Sequence, residues 1–267
     1  MTILRVEKSN SIYARKNTTT ITLYSDHIYG RQDMNIYHHL SDKKDIPIVI
    51  LLHGVYGSSN VWMDLGGAHV VYDQLRAKGL AEFIIVMPSD GGLWDGSGYL
   101  PLKGHGNYEK WIVEDVINGV IDNIDSASSS SNIYISGLSM GGYGALRLGA
   151  KYPKLFSGIS VHSSVTSLTD LQQFIDNPVS DYICEDINEP NISYWLEKNR
   201  DDLAPLRLDC GEDDSLYVSN LNLCKTLDDL KIHYEFSSFS GGHEWAYWHK
   251  HLATTLKFFN FLESGSN

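Results

Sequence analysis

Cysteine is scarce in this chain: Cys184, Cys210 and Cys224 are the only three among 267 residues. An odd, sparse set without a spacing motif argues against a disulfide framework and for a reducing compartment. Cys210 lies in an apolar stretch and is expected to be a small core residue. Long apolar runs are also missing. None reaches the roughly 18 residues that a membrane-spanning helix needs, so no membrane partner is expected. Residues 1–16 carry charges throughout and lack the apolar stretch of a signal peptide. The expectation is a cytoplasmic protein, although a mature form whose signal had been removed would read the same way. Basic residues are outnumbered, 21 Lys and Arg against 33 Asp and Glu, giving a net charge of −12. Such a chain repels polyanions, which argues against nucleic acid as a partner. Clustered metal ligands are lacking too. His38 and His39 point to opposite faces of a strand-like segment, and His249 and His251 diverge on the last helical segment. Neither a metal nor a cofactor is implied.

What is present is an apolar fraction of 42%, enough for a sizeable core, on a length that suits one large α/β domain spanning residues 1–267. Alternation predicts two antiparallel edge strands at 18–24 and 34–39. Continuous apolar runs at 46–52 and 83–87 predict buried parallel strands. Further strands are expected at 134–136, 158–161, 206–210 and 232–239. Helical patterns cover about 68–78, 108–124, 140–151, 216–230 and 245–262. Strands alternating with helices predict an α/β fold, a mostly parallel, doubly wound sheet flanked by helices, with its ligand at the carboxyl ends of the strands. Residues 163–205 contain Pro178, Pro190 and Pro205 and an acidic stretch, and fit no simple helix. They read as a small cap over the site, with a plain surface excursion as the alternative.

The chemistry concentrates at Gly137-Leu138-Ser139-Met140-Gly141, which follows a short strand and opens a helix. G-x-S-x-G in that setting is a nucleophile elbow, a strained turn that lifts the Ser139 hydroxyl above the sheet edge. The motif alone also arises by chance in glycine-rich turns, so its context decides. An acidic loop, Glu212-Asp213-Asp214, follows a late strand, and His243 follows Gly241-Gly242 between the last strand and the last helix. The order serine, acid, histidine is that of the α/β-hydrolases. The oxyanion donors expected are the backbone N–H of Met140, next after the nucleophile, and that of Val55 in the loop Leu52-His53-Gly54-Val55. His53 is assigned to holding this loop. Trp94, in a glycine-rich loop, is the preferred substrate-binding aromatic, with Trp62 and Trp245 as further candidates; Trp248, and Trp245 in the alternative, would pack the last helix.

With these residues in view, the chain resembles the esterase D-like branch of the α/β-hydrolases, which includes S-formylglutathione hydrolases, tributyrin, feruloyl and acetyl xylan esterases, and mycolyltransferases. The matching stretches are Leu51-Leu52-His53-Gly54 with Trp62, Tyr108-Glu109 with Ile112-Val113-Glu114-Asp115, Gly137 to Leu146, Asp209-Cys210-Gly211 with Asp214, and Gly241-Gly242-His243 with Trp245. The resemblance spans about 18–262. It implies Asp214 as the triad acid and supports Val55 and Met140 as oxyanion donors. S-formylglutathione hydrolases carry histidine just before the nucleophile and again after the glycine pair, where this chain has Leu138 and Tyr143.

The leading expectation is therefore a serine carboxylesterase that takes a small-molecule ester of short-chain, aryl, acetyl or feruloyl type through an acyl-serine intermediate, with Ser139, Asp214 and His243 as its triad. The alternatives are an acyltransferase, an S-formylglutathione hydrolase-like thioesterase and, outside catalysis, a hydrolase fold kept as a ligand-binding module. Relatives in the branch self-associate, so a homo-oligomer is an open expectation, but no interface is legible in the sequence.

Overall fold

The apolar and alternating runs assemble into one sheet. In the computed structural model, which describes residues 2–265, the strands are β1 (Ile3–Lys8), β2 (Thr18–Ser25), β3 (Gly30–Tyr37), β4 (Ile48–Leu52) and β5 (Ile84–Pro88). A two-residue pair, β6 (Pro101–Leu102) and β7 (Gly106–Asn107), stands apart. Then come β8 (Ile133–Leu138), β9 (Gly158–His162), β10 (Leu206–Gly211) and β11 (Tyr234–Phe239). The nine-stranded order is β1-β2-β3-β5-β4-β8-β9-β10-β11. β1 to β3 are antiparallel, β3 joins β5 antiparallel, and every pairing from β5 to β11 is parallel. The sheet is thus mostly parallel and flanked by helices, an α/β-hydrolase arrangement. Met1, Ser266 and Asn267, the ends of the expected domain, lie outside the described residues.

The helices are α1 (Val61–Asp64), α2 (Ala68–Arg76), α3 (Tyr108–Lys110), α4 (Ile117–Asn123), α5 (Met140–Lys151), α6 (Leu168–Leu171), α7 (Ile192–Asn199), α8 (Tyr217–Asp229) and α9 (Trp245–Gly265). Strand periodicity divides the core in two. Ile48, Ile50 and Leu52 of β4 face one cluster with Trp111, Leu146 and Leu227. Val49 and Leu51 face the other, with Tyr72, Leu252 and Phe259. Alternate side chains of one strand point to opposite faces, so a run without polar residues marks a strand covered on both sides.

Three expectations need correction. The segments expected as edge strands, 18–24 and 34–39, became β2 and β3, which are interior, because β1 pairs outside β2. β1 is almost wholly exposed, Leu4 and Val6 included, with only Ile3 packed against the core, so it is held by backbone pairing more than by burial. The helix expected over 108–124 is broken by a π-helical segment at Trp111–Val116.

The segment between β9 and β10 contains α6, α7 and two short 3₁₀ turns. A buried ionic network fastens its distal part to α5. Arg147 Nη2 lies 2.5 Å from Glu109 Oε2, and Arg147 Nη1 lies 3.0 Å from Glu189 Oε2. Lys151 Nζ lies 2.8 Å from Glu109 Oε1 and 2.7 Å from Glu189 Oε2. Arg147 and Glu109 are buried, and Tyr152 OH donates to Glu109. Burial opposes ionisation of Glu109, yet Arg147, Lys151 and Tyr152 hold its carboxyl below the usual carboxylate range. Glu109→Ala would leave Arg147 buried without its nearest counter-charge, a loss of about 3–5 kcal/mol in chemical denaturation at neutral pH. A lowered folded-state value means that this stabilisation is present above the unfolded value, about 4.3, and is lost as pH falls through the folded one. The gap between wild type and variant should therefore narrow in acid; a gap independent of pH would contradict the ionic account.

Candidate active site

β8 ends at Leu138, in the middle of the sheet, and the chain reverses into α5 through Ser139 at φ 53° and ψ −122°. A non-glycine residue with positive φ is strained, and the neighbours must over-determine it. Here Ser139 N–H donates to His162 O, and Ser139 O accepts from Tyr143 N–H and Val165 N–H, each at 3.1 Å. The turn also needs main chains in contact. A β-carbon on Gly137 would sit 2.2 Å from Gly141 O, and one on Gly141 would sit 2.3 Å from Leu52 O. Those contacts explain the spacing of the motif better than flexibility does.

Two other loops converge on Ser139. The loop after β10 folds so that Asp214 is buried while Glu212 and Asp213 are exposed. The loop after β11 is laced to it, with Asp213 N–H donating to Gly241 O at 3.0 Å and Glu212 N–H to Phe239 O at 2.9 Å. His243 Nδ1 lies 2.9 Å and 3.1 Å from the two Asp214 oxygens, and His243 Nε2 lies 2.9 Å from Ser139 Oγ. The three residues singled out in the sequence therefore form one hydrogen-bonded line. Burial works against charge on Asp214, but the bond to His243 and the Leu216 N–H, 2.8 Å away, hold the carboxyl below its usual range. With the carboxylate ionised, Nδ1 carries the proton and Nε2 is free to accept one from the serine.

Val55 lines the same cavity as Ser139, and its side chain and that of Met140 both pack against Gly96. A β-carbon on Gly96 would lie 2.3 Å from Met140 Sδ and 3.5 Å from Val55 Cγ1. Met140 opens α5, so its N–H is among the first-turn donors that a helix cannot satisfy internally. His53, fully buried, stabilises the Val55 loop. Its Nε2 accepts from Asp90 N–H at 3.1 Å, which leaves the proton on Nδ1, 2.6 Å from Gly54 O.

A cavity of about 430 Å³ opens at Ser139 and His243. Its wall carries Val61, Leu138 and four aromatics: Tyr56, Phe174, Trp245 and Trp248. Of the expected aromatics, Trp245 lines it. Trp62 does not: it is buried behind the wall, donating to Leu52 O at 3.0 Å and meeting Trp245 edge-on. Nor does Trp94, whose ring packs against His105 and Tyr182 and so braces the glycine-rich loop against the β9–β10 segment. Trp248, expected to pack the last helix, is buried and also reaches the cavity, edge-on to His243. Phe174 was not foreseen. It stacks on the His243 ring at 4.9 Å and sits in a stretch whose only signal was the suspicion of a cap.

Sequence reasoning also missed a buried polar cluster under the site. Asp209 contacts His162 Nδ1 at 2.8 Å, Arg207 Nη1 at 2.7 Å and the Tyr247 hydroxyl at 2.9 Å. His162 Nε2 meets Thr255 Oγ1 at 2.8 Å. An aspartate inside an apolar strand was the available signal. Among the described residues no group of three or more His, Cys, Asp or Glu could hold a metal ion, and no helix is long and apolar enough to cross a membrane.

Comparison with known proteins agrees with this architecture. The family model described as "Putative esterase" matches residues 25–259. An acetyl esterase of Caldicellulosiruptor saccharolyticus is 28% identical over 236 residues, covering 81% of this chain and 84% of its own. A ferulic acid esterase structure superposes with a TM-score of 0.81 at 26% identity, covering 92% of this chain and 97% of its own. FphF, a fluorophosphonate-binding serine hydrolase of Staphylococcus aureus solved with substrate bound, shares the fold with a TM-score of 0.79 at 20% identity, covering 91% and 98%. The chain belongs to the "Putative esterase" family, the esterase D-like serine hydrolases of the α/β-hydrolase fold.

Proposed function

We propose that this protein is a carboxylesterase that cleaves small acyl esters, of acetyl, short-chain or aryl type, through an acyl-serine intermediate. The observation that carries the reading is the unbroken line from Ser139 Oγ through His243 to Asp214 beside an aromatic cavity. In this mechanism His243 Nε2 takes the Ser139 proton as Oγ attacks the ester carbonyl. Asp214 fixes the tautomer and stabilises the imidazolium. The N–H groups of Val55 and Met140 receive the developing oxyanion, each lowering the barrier by about 2.7–4 kcal/mol. His243 then protonates the departing alcohol, and water repeats the sequence in reverse to free the acid. Tyr56, Phe174, Trp245 and Trp248 form the substrate wall, with Trp62 supporting it from behind. The acetyl and ferulic acid esterases among the similar proteins favour acetyl and aryl acyl groups.

The β9–β10 segment acts as a fixed cap. Tyr56 OH donates to Phe174 O, Asp176 N–H to Asp95 Oδ2 at 2.9 Å and Tyr182 OH to Gly96 O at 2.6 Å, so the cap is tied to the loops that frame the serine.

Hydrolysis of p-nitrophenyl esters from acetate to decanoate should show turnover of the short members. Ser139→Ala should lower kcat by about 10⁴–10⁶-fold; silence of both proteins across the series would sink the esterase reading. Asp214→Asn should cost about 10⁴-fold by imposing the wrong tautomer. Because the Asp214 carboxyl is held below its usual range, the carboxylate persists further into acid than a free one would. The acid limb of kcat against pH should then have the slope of a single proton, and a two-proton slope would show the carboxylate gaining its own proton in the same range.

A further inference from the structure

The cavity wall combines aromatic rings with charge of one sign. No lysine or arginine lines it, and Glu244, next to His243, is its one carboxylate. Glu244 is exposed and its side chain has no hydrogen bond or ion pair among the described residues, so the charge is not neutralised within the chain. Two further carboxylates stand behind the wall residues Tyr56 and Phe174. Tyr56, a wall residue, donates its N–H to Asp95 O at 2.8 Å, and the Asp95 carboxylate accepts from Asp176 N–H at 2.9 Å. Desolvation first, then the charges of Asp95 and Asp176, raise the Tyr56 phenol above its usual value. His243, hydrogen-bonded to Asp214, offers no free counter-charge.

Aromatic faces attract organic cations through the ring quadrupole, and alkylated ammonium groups are the form that such walls hold best, because they lose little hydration. Carboxylates at the rim add an attraction that fades with salt. We infer that the cavity selects esters bearing an alkylated ammonium group over neutral or anionic esters of the same shape, and that Glu244 sets this preference. The inference rests on the esterase reading and names the substrate class of the same site.

A matched set of acetates isolates the charge. Choline and 3,3-dimethylbutanol have nearly the same shape and differ by the positive nitrogen; 3-sulfopropyl acetate supplies an anion. Acid release in a pH-stat should give a kcat/KM for acetylcholine about five- to thirty-fold above that for 3,3-dimethylbutyl acetate at low salt, the range that a partly desolvated cation–π contact implies. The anionic ester should be slowest, and the ratio should shrink as ionic strength rises. Glu244→Gln, at an exposed side chain with no partner to lose, should cut the ratio several-fold. A wild-type ratio of one or less overturns the preference, and an unchanged ratio in Glu244→Gln overturns the role of that residue. Turnover of 3,3-dimethylbutyl acetate tests the esterase reading separately. If no ester is cleaved, that reading falls, and calorimetric titration with choline against 3,3-dimethylbutanol still decides the charge selection: tighter binding of choline supports it and equal binding refutes it.

Discussion

The arrangement depends on one strained residue. Ser139 occupies a backbone region that L-residues avoid, at an expense of order 1–3 kcal/mol. It is held there because β8, α5 and the end of β4 touch at main-chain distance, with no room for a side chain at Gly137 or Gly141. This close contact lifts Oγ out of the sheet edge toward His243. It also leaves the Met140 N–H at the head of a helix whose dipole favours negative charge at that end. A relaxed Ser139 would lose both the reach of its Oγ toward His243 and the placing of the Met140 N–H beside it.

The surrounding loops supply the constraint that keeps the strain in place. Main-chain bonds from His162, Val165 and Tyr143 fix the elbow, and the acid and histidine loops are bonded to each other rather than to solvent. Below them, Asp209 joins β9, β10 and α9 through His162, Arg207 and Tyr247. Buried charge is stabilising only when every partner is in place. Asp209 is held below the usual carboxylate range, since His162 and Arg207 outweigh the burial that opposes its charge. β9, β10 and α9 are thereby tied to one another beneath the loops that carry Ser139, Asp214 and His243.

Much of this was legible in the sequence, for identifiable reasons. β4 and β5 are covered on both faces, so they appear as uninterrupted apolar runs; the elbow has a steric requirement that only small residues meet, so it appears as glycines at fixed spacing. What escaped is governed by partners distant in the chain. β1 is defined by its pairing with β2, not by its own pattern. Trp94 is the pocket aromatic preferred on sequence, ahead of Trp62 and Trp245, yet Trp62 lies behind the cavity wall, Trp94 packs against the β9–β10 segment, and Trp245 faces the cavity. Their roles are set by which loop they oppose. Phe174 owes its place on His243 to a segment without periodicity, tied down by single hydrogen bonds such as that of Tyr56 to its carbonyl.

The division between legible and illegible parts follows the division of labour in the site. The reacting groups are positioned largely by the backbone of a parallel sheet, where a small shift in one strand is resisted by its neighbours. The cavity wall is assembled from side chains at four separate places: the β4–α1 loop with Val61, Leu138, Phe174 in the cap, and the start of α9. Those side chains make few of the main-chain bonds that hold the triad. Substitution on the wall can therefore alter shape and charge while the line from Ser139 to Asp214 stays intact. Substitution at the elbow cannot, because the contact that lifts Ser139 out of the sheet also packs β8, α5 and β4 together.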